Sequence, residues 1–301
     1  MTSEPLAAAA AGTWRLGDLV VNRMGFGSMR LTQNGPAFAD AATPSDRATA
    51  ITVLRRAVEL GVNHIDTAAF YFSALRSANE LINTALSPYA DDLVIVTKVG
   101  PGRDVWGRWT DAARPDQLRG QVEENLRQLG RDHLDVVNYR RQPSVESVAE
   151  HFGALAQMRD AGLIRHLGVS GVRPEHLAEA QAIAPVVCVQ NAYSIVDRRP
   201  ESRELLRACS EQGIAFVPFF AIAGTGRHGG QPAGEPKQLT AIAREHGATD
   251  AQIRLAWTLH QGPHVLAIPG TGNPDHLLEN VAAGAIQLSG DELASLAGVS
   301  C

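Results

Sequence analysis

Two residues at the ends of separate apolar runs, and one tyrosine, have the types needed for proton chemistry. Asp66 closes VNHID, Lys98 closes LVIVTK, and Tyr71 follows Asp66 in the loop AAFYFSA. A lysine ending so apolar a run must snorkel to water or meet an anion, because a buried unpaired ammonium is very costly. Asp66 is its natural partner. A phenol titrating near ~10 is a poor donor at neutral pH. A neighbouring ammonium favours phenolate and lowers that value, and a carboxylate fixes the ammonium. The trio would protonate an oxygen that becomes an alkoxide. A carbonyl receiving hydride is such an oxygen, and the hydride would have to come from a nicotinamide cofactor. Ser170 and Gln190, also at run ends, suit a carboxamide, and Phe219 offers a flat face for a stacked ring. Taken singly, each residue has a plainer reading. Asp66 could be a turn or N-cap acid, and Tyr71 a packed loop aromatic.

Arg140 raises a sharper question. It follows the apolar run LDVVNY and is itself followed by Arg141. Arginine stays protonated at any working pH, so Arg140 is no proton donor. It can push Tyr71 further toward phenolate and hold an anionic group of a substrate. Arg141 reads as a surface charge at the start of a loop. Asp135 and Asn138, inside the same run, read as satisfied structural polar groups.

The elements that would position these residues are legible as repeats. Apolar runs recur at 23–27, 62–66, 93–98, 134–139, 164–170, 186–191, 214–220 and 264–270. Most are continuous Val/Ile/Leu blocks, the mark of strands buried on both faces of a parallel sheet. Helical stretches lie between them. Ser45 and Asp46 read as an N-cap and a first-turn acid before the stripe Ile51, Leu54, Val58, and Gly61 as its stop. Pro115 starts the stripe Leu118, Val122, Leu126, Leu129, which Gly130 ends, and Val145, Val148, Phe152, Leu155 and Met158 form a third stripe before Gly162. Eight such units predict an α/β fold, a (β/α)8 TIM barrel whose strand ends converge on one mouth. An open doubly wound sheet is the runner-up. Its glycine fingerprint is matched only by Gly224, Gly226 and Gly229, late in the chain and followed by Pro232 and Gly234.

Composition excludes several classes. The 301 residues are 45% hydrophobic and 20% charged, an ordinary globular balance, and no composition break divides residues 1–301 into two domains. A net charge of -5 argues against nucleic acid. No apolar run is long enough for a bilayer. Cys188, Cys209 and Cys301 are too scattered for a disulfide framework or zinc cluster, which points to a reducing cytoplasm. Residues 1–12 lack a basic n-region and read as a loose terminus. GVSGV around Ser170 misses a hydrolase elbow at Val172, and HQGPH cannot form a helical metal-binding face, so no metal is expected.

These segments resemble the aldo-keto reductases in the same order along the chain. GVNHIDTAAFY (61–71) looks like that family's Asp–Tyr segment and LVIVTKVG like its lysine strand. IRHLGVS and VVCVQNAYS look like its carboxamide-binding segments, IPGTGNPDHLLENV (268–281) like its adenosine-side loop, and RLGDLVVNRMGFGSMRL (15–31) like its N-terminal cap hairpin and first strand. The resemblance implies Asp66, Tyr71 and Lys98 as catalytic residues, with Tyr71 the general acid. Arg140 stands where the family's usual histidine orients the carbonyl. It implies cofactor contacts from Gly27, Ser28, Met29, Asp66, Ser170, Gln190, Phe219, Phe220, Ala221, Ile222, Gly224, Gly270, Thr271, Gly272, His276, Glu279 and Asn280. A smaller branch resembling pyridoxal reductases shares LDVVNLR-type segments and PFF (218–220), which suggests pyridoxal or another aromatic aldehyde. Ala221 and Phe219 depart from a usual proline and tyrosine. Gly270 and His276 stand where members preferring NADPH often carry lysine and arginine, leaving His276, Arg227 and His228 to meet a phosphate. NADPH remains the expected cofactor, with NADH the alternative. The other functions weighed are a non-catalytic nicotinamide sensor on the same barrel and a phosphate-binding isomerase or lyase. Substrate identity, direction and oligomeric state stay open, a monomer being compatible with the sequence.

Overall fold

A computed structural model describes residues 7–35, 38, 42–222 and 236–298. The chain opens with an antiparallel hairpin, β1 (Thr13–Leu16) and β2 (Leu19–Asn22). The parallel sheet follows: β3 (Phe26–Gly27), β6 (His64–Asp66), β7 (Val94–Val99), β8 (Leu134–Arg140), β9 (Ile164–Ser170), β10 (Val186–Gln190) and β11 (Ala215–Phe216), paired in that spatial order. A short antiparallel pair, β4 (Gln33–Asn34) and β5 (Thr43–Pro44), lies outside it. The eighth position belongs to the run at 264–270. Phe216 N–H donates to His264 O (2.9 Å) and Leu266 N–H to Phe216 O (3.0 Å), while Ala267 N–H donates to Arg23 O (2.8 Å) and Gly25 N–H to Ala267 O (2.8 Å). Those bonds join the two edges of the sheet and close the (β/α)8 barrel. The hydrogen-bonded strands at both edges are shorter than the apolar runs that announced them.

Strand parity places the chemistry. Successive side chains in a strand point to opposite faces. Val94 and Val96 belong to the inner cluster with Val136, Cys188, Ala215, Val217 and Leu266, which Leu16 and Val21 of the hairpin cover. The parity that turns Val94 and Val96 inward turns Lys98 inward too. Ile95 and Val99 join the larger cluster between sheet and helices.

The helices start and stop largely where their caps predict. In α1 (Arg47–Glu59) the cap is Asp46 rather than Ser45: its carboxylate accepts from Thr49 N–H at 2.7 Å while the Ser45 hydroxyl donates to Leu31 O, and Gly61 follows at φ 83°. Between it and the next helix of the outer layer lies α2 (Ala78–Leu86), and α3 (Leu118–Leu129) ends at Gly130 in the left-handed region. The third stripe is corrected at its start: α4 spans Ala149–Asp160, leaving Val145 in a loop. Glu179, from α5 (Pro174–Gln181), accepts from Ser147 Oγ (3.0 Å) and Val148 N–H (2.9 Å), so a distant carboxylate sets the boundary. Residues 8–11 also differ from the expected loose terminus. They form a 3-10 turn whose Ala8 is buried and donates to Leu60 O at 2.8 Å. Among the described residues, no helix is long and apolar enough to cross a membrane.

Candidate active site

Lys98 and Asp66 meet across adjacent strands at the barrel mouth. Lys98 Nζ donates to both Asp66 carboxylate oxygens, at 2.7 and 2.8 Å, and to Thr67 O at 3.0 Å. Each of the two residues is 4% exposed. Burial alone would lower Lys98, but Asp66 and Tyr71 outweigh it and hold the ammonium above its ordinary value. Thr67 is fixed in turn: its hydroxyl donates to Asn79 Oδ1 at 2.7 Å and accepts from Ser28 at 2.9 Å. Asn79 donates to Asn125 Oδ1 at 2.9 Å, which also accepts from Thr97 Oγ at 2.6 Å.

Tyr71 comes to the same place. Its backbone is pinned between Ala68 O (3.0 Å) and Ala78 N–H (2.9 Å), and Lys98 Nζ lies 4.9 Å from its ring centre. The expected lowering of its phenol is corrected. Burial pushes Tyr71 above its ordinary value of 10, and the opposing pull of Lys98 and Arg140 does not cancel it. Cations alone would lower the phenol, and the loss of water around the ring outweighs them.

Arg140 turns toward Ser170 and Phe219. Its Nη1 donates to Ser170 Oγ at 3.2 Å, and its guanidinium carbon lies 4.8 Å from the Phe219 ring centre. Gly171, at φ 66°, makes room: a Cβ there would stand 2.8 Å from Arg140 Nη1. Arg141 is not the free surface charge expected. It is half-buried and donates to Gln142 O (3.0 Å) and Val145 O (2.8 Å), bracing the loop. Asp135 is structural as expected, accepting from Ile95 N–H and Arg131, both at 2.8 Å.

Gln190, expected to suit a carboxamide, is also engaged within the protein. Its Nε2 donates to Asp66 Oδ2 at 2.9 Å and its Oε1 accepts from Asn138 Nδ2 at 3.2 Å. One amide N–H and one lone pair remain. Ser170, 1% exposed, accepts from Arg140 and retains its own hydroxyl proton. These leftover donors and the Phe219 ring are the right chemistry for a nicotinamide carboxamide and ring.

The other expected cofactor residues divide into groups. Gly27 and Gly270 are glycine for packing: a Cβ on Gly27 would stand 2.6 Å from Ile268 O, and one on Gly270 2.3 Å from Gly27 O. Ser28 is buried and committed to Thr67, and Met29 is half-buried beside the Tyr71 cluster. Phe219 and Phe220 meet edge-on at 4.6 Å, Phe220 holding φ 72°, with Ala221 buried and Ile222 half-buried behind them. Thr271 Oγ accepts from Asn273 N–H at 3.0 Å, beside half-buried Gly272. The helix Pro274–Ala282 carries exposed His276, half-buried Glu279 and buried Asn280. Gly224, Arg227 and His228 lie outside the described residues.

Sequence reasoning missed the aromatic rim. Phe70 sits edge-on to Tyr71 at 5.2 Å, and Trp109 packs on Phe70 at 5.8 Å and on Phe38 at 5.2 Å. Arg103 knits them together, its guanidinium 4.8 Å from Phe38 and 4.4 Å from Phe72. The tryptophans of DVWGRW (104–109) were the available signal, but nothing local ties them to Tyr71.

Comparison with known proteins agrees with this geometry. Residues 23–300 match the family model described as the aldo/keto reductase family. Pyridoxine 4-dehydrogenase of Escherichia coli K12 is 43% identical over 97% of this chain and 99% of its own length. A thermostable aldo-keto reductase solved with the inhibitor epalrestat superposes with a TM-score of 0.78 at 32% identity, covering 95% of this chain and 98% of that one. An aldo-keto reductase from Klebsiella pneumoniae, solved with NADPH, gives 0.77 at 27% identity, covering 94% and 93%.

Proposed function

The chain belongs to the aldo/keto reductase family, and on that premise we propose that it reduces the carbonyl of an aldehyde or ketone to an alcohol, with Tyr71 as the general acid. NADPH supplies the hydride when bound, with NADH as the alternative. The observation that carries the reading is the buried Lys98–Asp66 pair beneath Tyr71. A site with no chemistry to perform gains little from a fully desolvated ammonium, which is costly to bury even when paired. That argues against a non-catalytic nicotinamide sensor.

Each residue then has a role. Tyr71 stays protonated and gives its proton to the carbonyl oxygen as charge develops there. Lys98 stabilises the phenolate left behind, and Asp66 holds Lys98 in place. Ser170, Gln190 and Phe219 would hold the nicotinamide, and Thr271, Gly272, His276, Glu279 and Asn280 the adenosine side. Arg140 supplies a permanent positive charge between substrate and cofactor residues. Pyridoxal, or a related aromatic aldehyde, is the substrate class we favour. The 43% identity to pyridoxine 4-dehydrogenase supports it, as does the rim of Phe38, Phe70 and Trp109, which suits a flat ring. We read residues 1–301 as a single catalytic domain working in the cytoplasm, which the free, buried Cys188 and Cys209 support.

The test follows NADPH and NADH absorbance with pyridoxal and 4-nitrobenzaldehyde, for wild type and Tyr71→Phe. Loss of the general acid should slow turnover by about a hundredfold or more. Equal rates for the two proteins on every substrate would overturn the mechanism, and NADPH binding without turnover would favour the sensor.

A further inference from the structure

Level with Lys98, a row of the barrel holds two polar residues, Asn138 and Cys188, that the proposed mechanism does not use. The strand register aligns Lys98 with Asn138, Asn138 with Gly168, and Gly168 with Cys188. Gly168 contributes no side chain, and its neighbours fill the gap. A Cβ there would fall 2.0 Å from Asn138 Oδ1 and 2.6 Å from Cys188 Sγ. Into that space Cys188 Sγ donates to Asn138 Oδ1 at 3.0 Å. Asn138 Nδ2 donates to Gln190 Oε1 at 3.2 Å, and Gln190 Nε2 donates to Asp66 Oδ2 at 2.9 Å. All four residues are at most 4% exposed.

The polarity of this chain is set from both ends. The Asp66 carboxylate only accepts, so Gln190 must present N–H to it and Oε1 to Asn138. At the far end the buried Cys188 thiol, pushed up to about 12 by desolvation, keeps its proton and can only donate usefully to Oδ1. Turning over either amide would set donor against donor or oxygen against carboxylate. Consecutive donors aligned in one direction polarise one another, and a satisfied network specifies one arrangement.

We propose that Asn138, backed by Cys188, is a positioning residue for the reduction: it fixes the orientation of the Gln190 amide. So held, Gln190 steadies the Asp66 carboxylate that carries Lys98 and aims its remaining N–H at the ligand. The proposal rests on the reductase reading and deepens it. Asn138→Leu keeps similar volume and removes both bonds. Cys188→Val removes only the terminal donor, and Cys188→Ser restores one. In the full-length enzyme, Asn138→Leu should lower kcat about tenfold, as expected for a lost buried hydrogen bond with its partners orphaned. KM for the aldehyde should change far less, and the primary isotope effect with deuterated NADPH should rise because the chemical step has slowed. NADPH affinity, read by fluorescence without turnover, should fall in Asn138→Leu and Cys188→Val and recover in Cys188→Ser.

If Asn138→Leu does not fold, the two Cys188 variants carry the test. Folded Asn138→Leu with wild-type kcat, isotope effect and NADPH affinity overturns the proposal, as do Cys188→Val and Cys188→Ser that behave alike. Absence of turnover in wild type would refute the reductase reading instead, while the NADPH affinities would still decide whether the network orients Gln190.

Discussion

Replacing Lys98 by methionine tests the centre of the site as physics before it tests it as catalysis. The change removes the donor to both Asp66 oxygens and leaves Thr67 O without that partner. Asp66 keeps only Gln190 as a donor, in surroundings where its side chain is 6% exposed. Breaking a buried pair from one side costs about 3–5 kcal/mol, because it strands a charge. Asp66→Leu should cost a similar amount by stranding the ammonium. Additivity would put the double variant at about 6–10 kcal/mol, most of a typical protein's stability. The double variant strands no charge. It orphans only the Gln190 N–H and Thr67 O, at about 1–3 kcal/mol each. It should therefore be about as stable as either single variant, or more so. Urea unfolding followed by far-ultraviolet circular dichroism measures all four proteins. A double variant that loses the sum of the singles would refute the claim that the two charges depend on each other. The pH dependence has a fixed sign: Lys98 sits above its ordinary 10.5, so its contribution is complete below that value and is lost as pH rises through the higher folded value. The pair's contribution should not change between about pH 7 and 9 on account of Lys98.

Three further outcomes follow from the same geometry. Tyr71, raised by burial, should show no phenolate until above its ordinary 10, so the near-ultraviolet difference between wild type and Tyr71→Phe should be flat near neutral pH. A phenolate signal at about pH 8 would restore the lowered value first expected. Arg140→Ala should reduce turnover most for aldehydes bearing an acidic group, and Gly171→Ala, whose Cβ would meet Arg140 Nη1 at 2.8 Å, should imitate it in part. Equal losses on neutral benzaldehydes would remove the anion-binding role. If His276 meets the cofactor's phosphate, His276→Ala should weaken NADPH binding, with little change for NADH. An NADPH dissociation constant unchanged in that variant would exclude it.

Most of the fold was legible because strands buried on both faces need unbroken apolar runs. All eight runs fall at barrel positions. What the runs did not show was how much of each is hydrogen-bonded, since only Phe26–Gly27 and Ala215–Phe216 pair as strands at the sheet edges. Local pattern also misplaced the start of α4, where the stripe continues back to Val145 but the cap comes from Glu179. A boundary set by a residue 31 positions away leaves no mark in its own neighbourhood.

The site was legible for a related reason. Barrel strands deliver their last residues to one mouth, so Asp66, Lys98, Arg140, Ser170 and Gln190 could be grouped without knowing any contact. Their partners could not be assigned, because contacts depend on register and on missing side chains. Asn138 looks like an ordinary strand asparagine until Gly168 is seen to open the space beside it. The same limit explains the error over Tyr71. Adding cations to a phenol gives one sign, and removing its water gives the other and the larger one. The outcome suits a proton donor. On the proposed mechanism a phenol held protonated would be loaded before every reaction, and Lys98 and Arg140 would matter most once negative charge appears on it. Asp66 would then keep Lys98 charged and in place at that moment, which a mobile surface lysine could not ensure.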